Sequence, residues 1–151
     1  MLFPRLSLLL LALAFALAAT PAGAQLPASA PTFAAAQARA KADDRLLFVL
    51  FKSADCKQCR KFQKDVLDAE TFQTFARDHL SLMIYDVDAY AALPESERAL
   101  ALSLEEKYGV EQMPAIVVYA PDGQTELLRT QGYRGTPAPT IVAQLKAKLP
   151  R

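Results

Sequence analysis

Two cysteines, Cys56 and Cys59, are the residues of this 151-residue chain best suited to chemistry. They are the only cysteines in the sequence, and Lys57 and Gln58 separate them. Thiols at this spacing can exchange a disulfide with a second protein. The thiolate of one attacks the partner's disulfide, and the other then resolves the mixed disulfide. The Cys-x-x-Cys pattern therefore predicts a redox-active disulfide between Cys56 and Cys59.

Three other uses of the Cys-x-x-Cys pattern compete with exchange. Covalent haem attachment needs a histidine directly after the second cysteine, where this chain has Arg60. A zinc site needs four ligands, and the one further soft ligand is the single histidine, His79, which we place at the end of a helix. A purely structural disulfide across so short a loop would stabilise the fold little. We therefore expect no metal, and exchange is favoured over the alternatives.

The position of Cys56 favours it as the attacking thiol. It follows an apolar run over residues 46–51 that predicts a buried central strand, and an amphipathic pattern begins directly after it. Backbone N–H groups at a helix N-terminus favour a thiolate. Lys57 should lower the pKa of the thiol further, whereas Asp55 should raise it. We expect Cys56 to be the nucleophile and Cys59, deeper on the helix, to be the resolving thiol.

The elements that must position the cysteines are indicated by hydrophobic periodicity. Helical and strand patterns alternate along the chain, which predicts an α/β fold with a parallel sheet, helices on both faces and an antiparallel hairpin at one edge. The predicted mixed sheet has about four strands. The predicted elements are a helix over residues 33–41, a strand over 46–51, a helix after the cysteines that breaks near 68–71, a strand over 82–85, a helix over 95–108, hairpin strands over 115–119 and 126–130, and a last helix that begins at 136–137.

The first 24 residues have the pattern of a secretory signal peptide. A basic residue precedes an apolar run over residues 6–19, and a small-x-small ending follows. The run is shorter than the roughly 18–20 residues that a membrane span requires. We therefore expect cleavage after Ala24 and export to the periplasm, with a linker over residues 25–31 and one domain over 32–151. An uncleaved anchor is the alternative.

The overall charge does not indicate nucleic acid or an anionic membrane surface as the partner. The chain has 17 Lys and Arg against 16 Asp and Glu, a net charge of +1. It has five glycines and no glycine-rich phosphate-binding loop, so we expect no nucleotide or flavin cofactor. The partners must therefore be recognised through thiol chemistry.

A second motif, over residues 108–119, contains Met113-Pro114. Together with the dithiol, it resembles the thioredoxin superfamily over about residues 33–149. The resemblance implies a thioredoxin fold in which the Met113–Pro114 peptide bond is cis and lies opposite the dithiol. It also implies that Met113 offers its backbone to an extended partner peptide. From the residues alone, Pro114 is also compatible with an ordinary proline at the start of a strand.

Within that superfamily, the chain is similar to exported bacterial thioredoxin-like reductases, which include the C-terminal domain of DsbD and thioredoxins associated with sulfur oxidation. The resemblance implies a periplasmic, monomeric thiol:disulfide oxidoreductase that reduces a narrow set of exported proteins and is recharged by a membrane thiol electron donor. A disulfide oxidase or isomerase of the same fold and a non-catalytic peptide-binding module are the alternatives. Leu50 stands where thioredoxin has a buried aspartate, so a proton acceptor for the resolving thiol is missing there.

Overall fold

The computed structural model describes residues 25–150, so the predicted signal peptide and its cleavage site lie outside the described residues. The helices in this range are α1 (Phe33–Ala42), α2 (Lys57–Phe62), α3 (Glu70–His79), α4 (Glu95–Tyr108) and α5 (Ala138–Lys146). The strands are β1 (Leu46–Lys52), β2 (Leu80–Asp86), β3 (Ala115–Tyr119) and β4 (Glu126–Gln131). Each predicted helix and strand is present, with ends that differ by a few residues. None of these helices combines the length and the hydropathy needed to cross a membrane.

The strands form one mixed sheet in the order β2-β1-β3-β4. β1 pairs in parallel with β2 and antiparallel with β3, and β3 pairs antiparallel with β4. The predicted α/β class and four-stranded mixed sheet are confirmed. The prediction of a mainly parallel sheet is wrong, because the chain returns from α4 on the other side of β1 and runs against it.

The helices cover both faces of the sheet, and alternate residues of β1 supply the two halves of the core. Leu46, Phe48 and Leu50 pack with α3 and α5. Leu47, Val49 and Phe51 pack with α1 and α4. All of these side chains are buried. This is the pattern of a strand covered on both faces, and the cysteines follow at the C-terminal end of this interior strand.

The helix after the cysteines is interrupted where the sequence predicted a break. α2 continues into one π-helical turn, Gln63–Leu67, and Asp68 and Ala69 separate that turn from α3. The Asp68 N–H donates to the Gln63 carbonyl at 2.9 Å, the wide hydrogen bond of a π-turn. The π-turn itself was not predicted, because five residues are too few to alter the hydrophobic period visibly.

The segment predicted as a linker is tied to the sheet at its end. The Ala30 N–H donates to the Leu82 carbonyl at 2.8 Å, and Ser29 Oγ accepts the Ile84 N–H at 2.9 Å. β2 is an edge strand with unpaired backbone groups, and these contacts satisfy some of them. Residues 29 and 30 therefore pack as part of the domain.

Candidate active site

Hydrogen bonds with two side chains fix the loop between β1 and Cys56. The Asp88 carboxylate accepts hydrogen bonds from Ser53 Oγ at 3.0 Å and from the Ala54 N–H at 2.7 Å. Arg60 Nη1 donates to the Ala54 carbonyl at 2.6 Å. Neither role was predicted. The one signal in the sequence is that Asp88 is an acidic residue just beyond the strand that pairs with β1.

The two cysteines form a disulfide at the start of α2. Cys56 is the N-cap residue, and its Sγ accepts the Cys59 N–H at 3.0 Å. When the disulfide is open, this hydrogen bond stabilises a thiolate on Cys56. Cys56 is half-buried, whereas Cys59 is only 6% exposed. Cys56 is therefore the sulfur that a partner can reach.

The loop before β3 lies against Cys56. The Met113 carbonyl oxygen is 3.3 Å from Cys56 Sγ, and the Met113–Pro114 peptide bond is cis. Pro114 is buried and Met113 is half-buried. The Pro114 carbonyl accepts the N–H of Gly132, in the loop after β4, at 3.0 Å. The fold thus brings the dithiol and the Met113-Pro114 motif into contact.

Gln58, inside the Cys-x-x-Cys motif, also reaches the loop after β4. Its Oε1 accepts the Tyr133 N–H at 2.8 Å. Gly132 lies beside this contact with φ +71°, and a Cβ there would be 2.9 Å from Gln112 Oε1 and 3.1 Å from Gln58 Oε1. This role of Gln58 was not predicted, since no spacing rule connects residues so far apart in the chain.

Tyr133, whose N–H contacts Gln58, is held in place by its own side-chain contacts. Its ring packs edge-to-face on Phe62 with the centroids 5.3 Å apart, and its hydroxyl donates to the Thr136 carbonyl at 2.9 Å. Burial raises the pKa of Tyr133, and the neighbouring Asp65 carboxylate adds to the rise. The phenol therefore stays protonated and keeps its hydrogen bond.

Asp55 and Lys57, predicted to tune the thiol, both lie exposed beside Cys56. Within residues 25–150, the side chains of both lack hydrogen-bond and ion-pair partners. His79 is the last residue of α3, where its ring packs 4.9 Å from that of Phe75. In the same part of the chain, no three His, Cys, Asp or Glu side chains are close enough together to hold a metal ion.

Comparisons with known proteins agree with this geometry. A family model described as a thioredoxin-like domain matches residues 33–148. The disulfide bond reductase DsbH of Chlamydia pneumoniae is 26% identical over 119 residues, which are 78% of this chain and 70% of that protein. A solved DsbH oxidoreductase has a TM-score of 0.69 and 25% identity, and the match covers 86% of this chain and 89% of the other. The oxidised C-terminal domain of Neisseria meningitidis DsbD has a TM-score of 0.56 at 18% identity, over 76% and 90% of the two chains, and shows the fold alone.

Proposed function

Because this chain belongs to the thioredoxin-like domain family and joins Cys56 to Cys59 in a disulfide, it is a thiol:disulfide oxidoreductase, and we propose that it reduces exported proteins. The family match confirms the predicted superfamily and fold. One observation carries the proposal: the accessible sulfur of Cys56 accepts a backbone N–H and lies 3.3 Å from the Met113 carbonyl. A partner that lies along Met113 would meet the activated sulfur directly.

The exchange proceeds in two steps, each of which makes one S–S bond and breaks one. In the first, the Cys56 thiolate attacks a partner disulfide, and the partner's other sulfur leaves as a thiolate. In the second, Cys59 gives up its proton and attacks Cys56, so that the partner's remaining sulfur leaves and is protonated. The partner gains two electrons, and the protein ends as the disulfide present in this structure.

The surface beside Cys56 favours an extended partner. The backbone of Met113 faces the sulfur, so an extended peptide can pair with it in the manner of an added strand. The side-chain amides of Gln58 and Gln112 both lie close to Gly132, whose N–H donates to the Pro114 carbonyl. We expect main-chain pairing with Met113 to give affinity, and the fit against these amides to keep the set of partners narrow.

The direction of electron flow and the site of action complete the proposal. A reductase is favoured because the relative from Chlamydia pneumoniae is a disulfide bond reductase. Export to the periplasm is favoured by the pattern of residues 1–24. An oxidising compartment does not return electrons to the dithiol, so a membrane thiol donor must recharge the enzyme. We propose that it acts as a monomer.

A trapping experiment tests the exchange mechanism. The variant Cys59→Ser keeps the attacking sulfur but cannot resolve, so mixed disulfides with partners should accumulate and disappear on reduction with dithiothreitol. Cys56→Ser is the matched control and should trap nothing. If Cys59→Ser accumulates no such complexes in cells, the exchange mechanism is wrong. Complexes found only in the cytoplasm would argue against export.

The reduction potential tests the direction. Purified protein is equilibrated with glutathione buffers, and the reduced fraction is measured by alkylation. We expect a value close to that of thioredoxin, about −270 mV. A value near that of the strongly oxidising DsbA, about −120 mV, would mean that the protein is an oxidase instead.

A further inference from the structure

A cavity of about 240 Å³ opens beside the resolving cysteine. The residues that line it come from the end of β1, the loop after it, α2 and the turn that follows. They are Lys52, Ser53, Ala54, Cys59, Arg60, Gln63, Lys64 and Asp68. Because Cys59 is otherwise buried, this cavity is where water and charged groups can act on it.

Lys52 is the lysine of this cavity that the fold holds in place. Its Nζ lies 2.8 Å from Asp86 Oδ2, and the two residues are register partners in the parallel pair of β1 and β2. Their side chains are 30% and 32% exposed, respectively. Lys52 lines the cavity, whereas Asp86 is not among its lining residues.

The other charged groups around the cavity have other contacts. Arg60 donates to a backbone carbonyl, and Asp68 accepts a hydrogen bond from the Gln63 amide at 2.7 Å. Asp88 accepts two hydrogen bonds from the loop before the dithiol. Lys64 is exposed at the rim. Of the two lysines that line the cavity, Lys52 is therefore the more buried and the better fixed.

On the face of β1 beneath the cavity, the residues before Lys52 supply no proton acceptor. Leu50 and Lys52 are two residues apart on β1 and so project to the same face. Leu50 is apolar and 1% exposed, packed in the core. Lys52 is thus the first polar side chain on that face of β1, at the point where the strand reaches the cavity.

We propose that Lys52 promotes the ionisation of Cys59 during resolution of the mixed disulfide. The Cys59 proton passes to water in the cavity, and the ammonium group stabilises the thiolate left behind. The Cys59–Cys56 bond then forms, the bond from Cys56 to the partner breaks, and the partner's sulfur leaves with the electron pair and is protonated by water. Asp86 keeps Lys52 in position. This role rests on the proposed exchange function and deepens it.

Direct titration of the resolving thiol tests the role of Lys52. In a Cys56→Ser background Cys59 is the single thiol, and its ionisation is followed by the ultraviolet absorbance of the thiolate. Adding Lys52→Met should move the titration midpoint upward by about one pH unit, the low end of the effect of a neighbouring opposite charge. Lys52→Arg should restore the original midpoint, because it keeps the charge.

Lys64→Met is the matched control, since it removes the other lysine that lines the cavity. We expect it to move the midpoint by much less than Lys52→Met does, because Lys64 is exposed and its charge is screened by water. An unchanged midpoint in Lys52→Met, or an equal change in Lys64→Met, would overturn the assignment.

The kinetics of the two-cysteine protein provide a second test. When the reduced protein reacts with a chromogenic aromatic disulfide, the first release of chromophore reports attack by Cys56 and the second reports resolution by Cys59. Lys52→Met should leave the first phase unchanged and slow the second about threefold at neutral pH, because about tenfold less thiolate is partly offset by the greater nucleophilicity of a more basic thiolate. Equal slowing of both phases would mean that Lys52 does not act selectively on Cys59, and would refute the proposal.

Different results would refute the exchange function and the role of Lys52. The titration and the kinetics use purified protein with a small disulfide and need no cellular partner. An absence of trapped partners would count against the proposed function but would not alter the titration of Cys59. A titration insensitive to Lys52 would remove the role of this lysine and leave the exchange function intact. Circular dichroism of each variant verifies that it is folded.

Discussion

A single added methyl group at Gly132 should disturb the contact between the dithiol motif and the loop after β4. In Gly132→Ala the residue must keep φ +71°, which an L-residue adopts only at a cost. The new Cβ would also lie 2.9 Å from Gln112 Oε1 and 3.1 Å from Gln58 Oε1. Both side chains can move away, but Gln58 then gives up its hydrogen bond to the Tyr133 N–H.

The expected loss of stability is the sum of these two effects. The left-handed backbone costs alanine about 1–2 kcal/mol. The lost hydrogen bond costs about 1 kcal/mol more. Gly109→Ala is the matched control, because Gly109 has φ +56° and a Cβ there would meet nothing within 4 Å. Gly132→Ala should therefore lower the free energy of unfolding by about 1 kcal/mol more than Gly109→Ala does.

Urea unfolding of the oxidised protein measures both variants. Repeating the pair in a Gln58→Ala background should remove most of the difference, because the crowded oxygen and its hydrogen bond are then absent. If Gly132→Ala costs no more than Gly109→Ala, the contact with Gln58 contributes no stability. If the difference persists unchanged without Gln58, the explanation through this hydrogen bond is wrong.

Two further predictions concern carboxylates away from the dithiol. Glu97 is 6% exposed, and its Oε1 accepts the Phe33 N–H at 2.9 Å and the Tyr85 hydroxyl at 2.7 Å. Glu97→Ala should lower the free energy of unfolding by about 3 kcal/mol and Glu97→Gln by about 1, because only the amide keeps an acceptor; equal losses would contradict this. Hydrogen bonds from Thr125 hold the pKa of Asp122 below its usual value. Their stabilisation is present above the pKa of the unfolded carboxyl and lost as pH falls through the lowered pKa. The stability lost in Asp122→Asn should therefore shrink between about pH 5 and pH 2, and a constant loss would refute the linkage.

The elements around the dithiol could be predicted because each is encoded by its own residues. Thr32 precedes α1 and accepts the Ala35 N–H at 3.1 Å, a role for which threonine is favoured at a helix N-terminus. Gly109 ends α4 in the left-handed conformation that favours glycine. The apolar run of β1 identified a strand covered on both faces. The antiparallel direction of β3 was missed, because the periodicity of a strand is the same in either direction.

The side chains around the dithiol could not be predicted, because their roles depend on which strands pair and in what register. Lys52 meets Asp86 only because β1 and β2 are parallel with those two residues opposite. Asp88 reaches the loop before Cys56 for the same reason, since it lies two residues beyond the end of β2. Gln58 meets Tyr133 through the hairpin of β3 and β4. Without knowledge of the strand pairing, the sequence indicates none of these contacts.

The two sulfurs are surrounded by different kinds of groups, and this difference has a consequence for the reaction. The groups nearest Cys56 are backbone atoms, the Cys59 N–H and the Met113 carbonyl, which no side-chain substitution removes. The groups beside Cys59 are side chains, with Lys52 the best fixed of the lysines. Attack by Cys56 therefore depends on backbone groups that the fold positions. On the role proposed for Lys52, resolution by Cys59 depends on a side chain that can be substituted. Substitution of Lys52 should accordingly change how long the mixed disulfide lasts without changing which sulfur attacks.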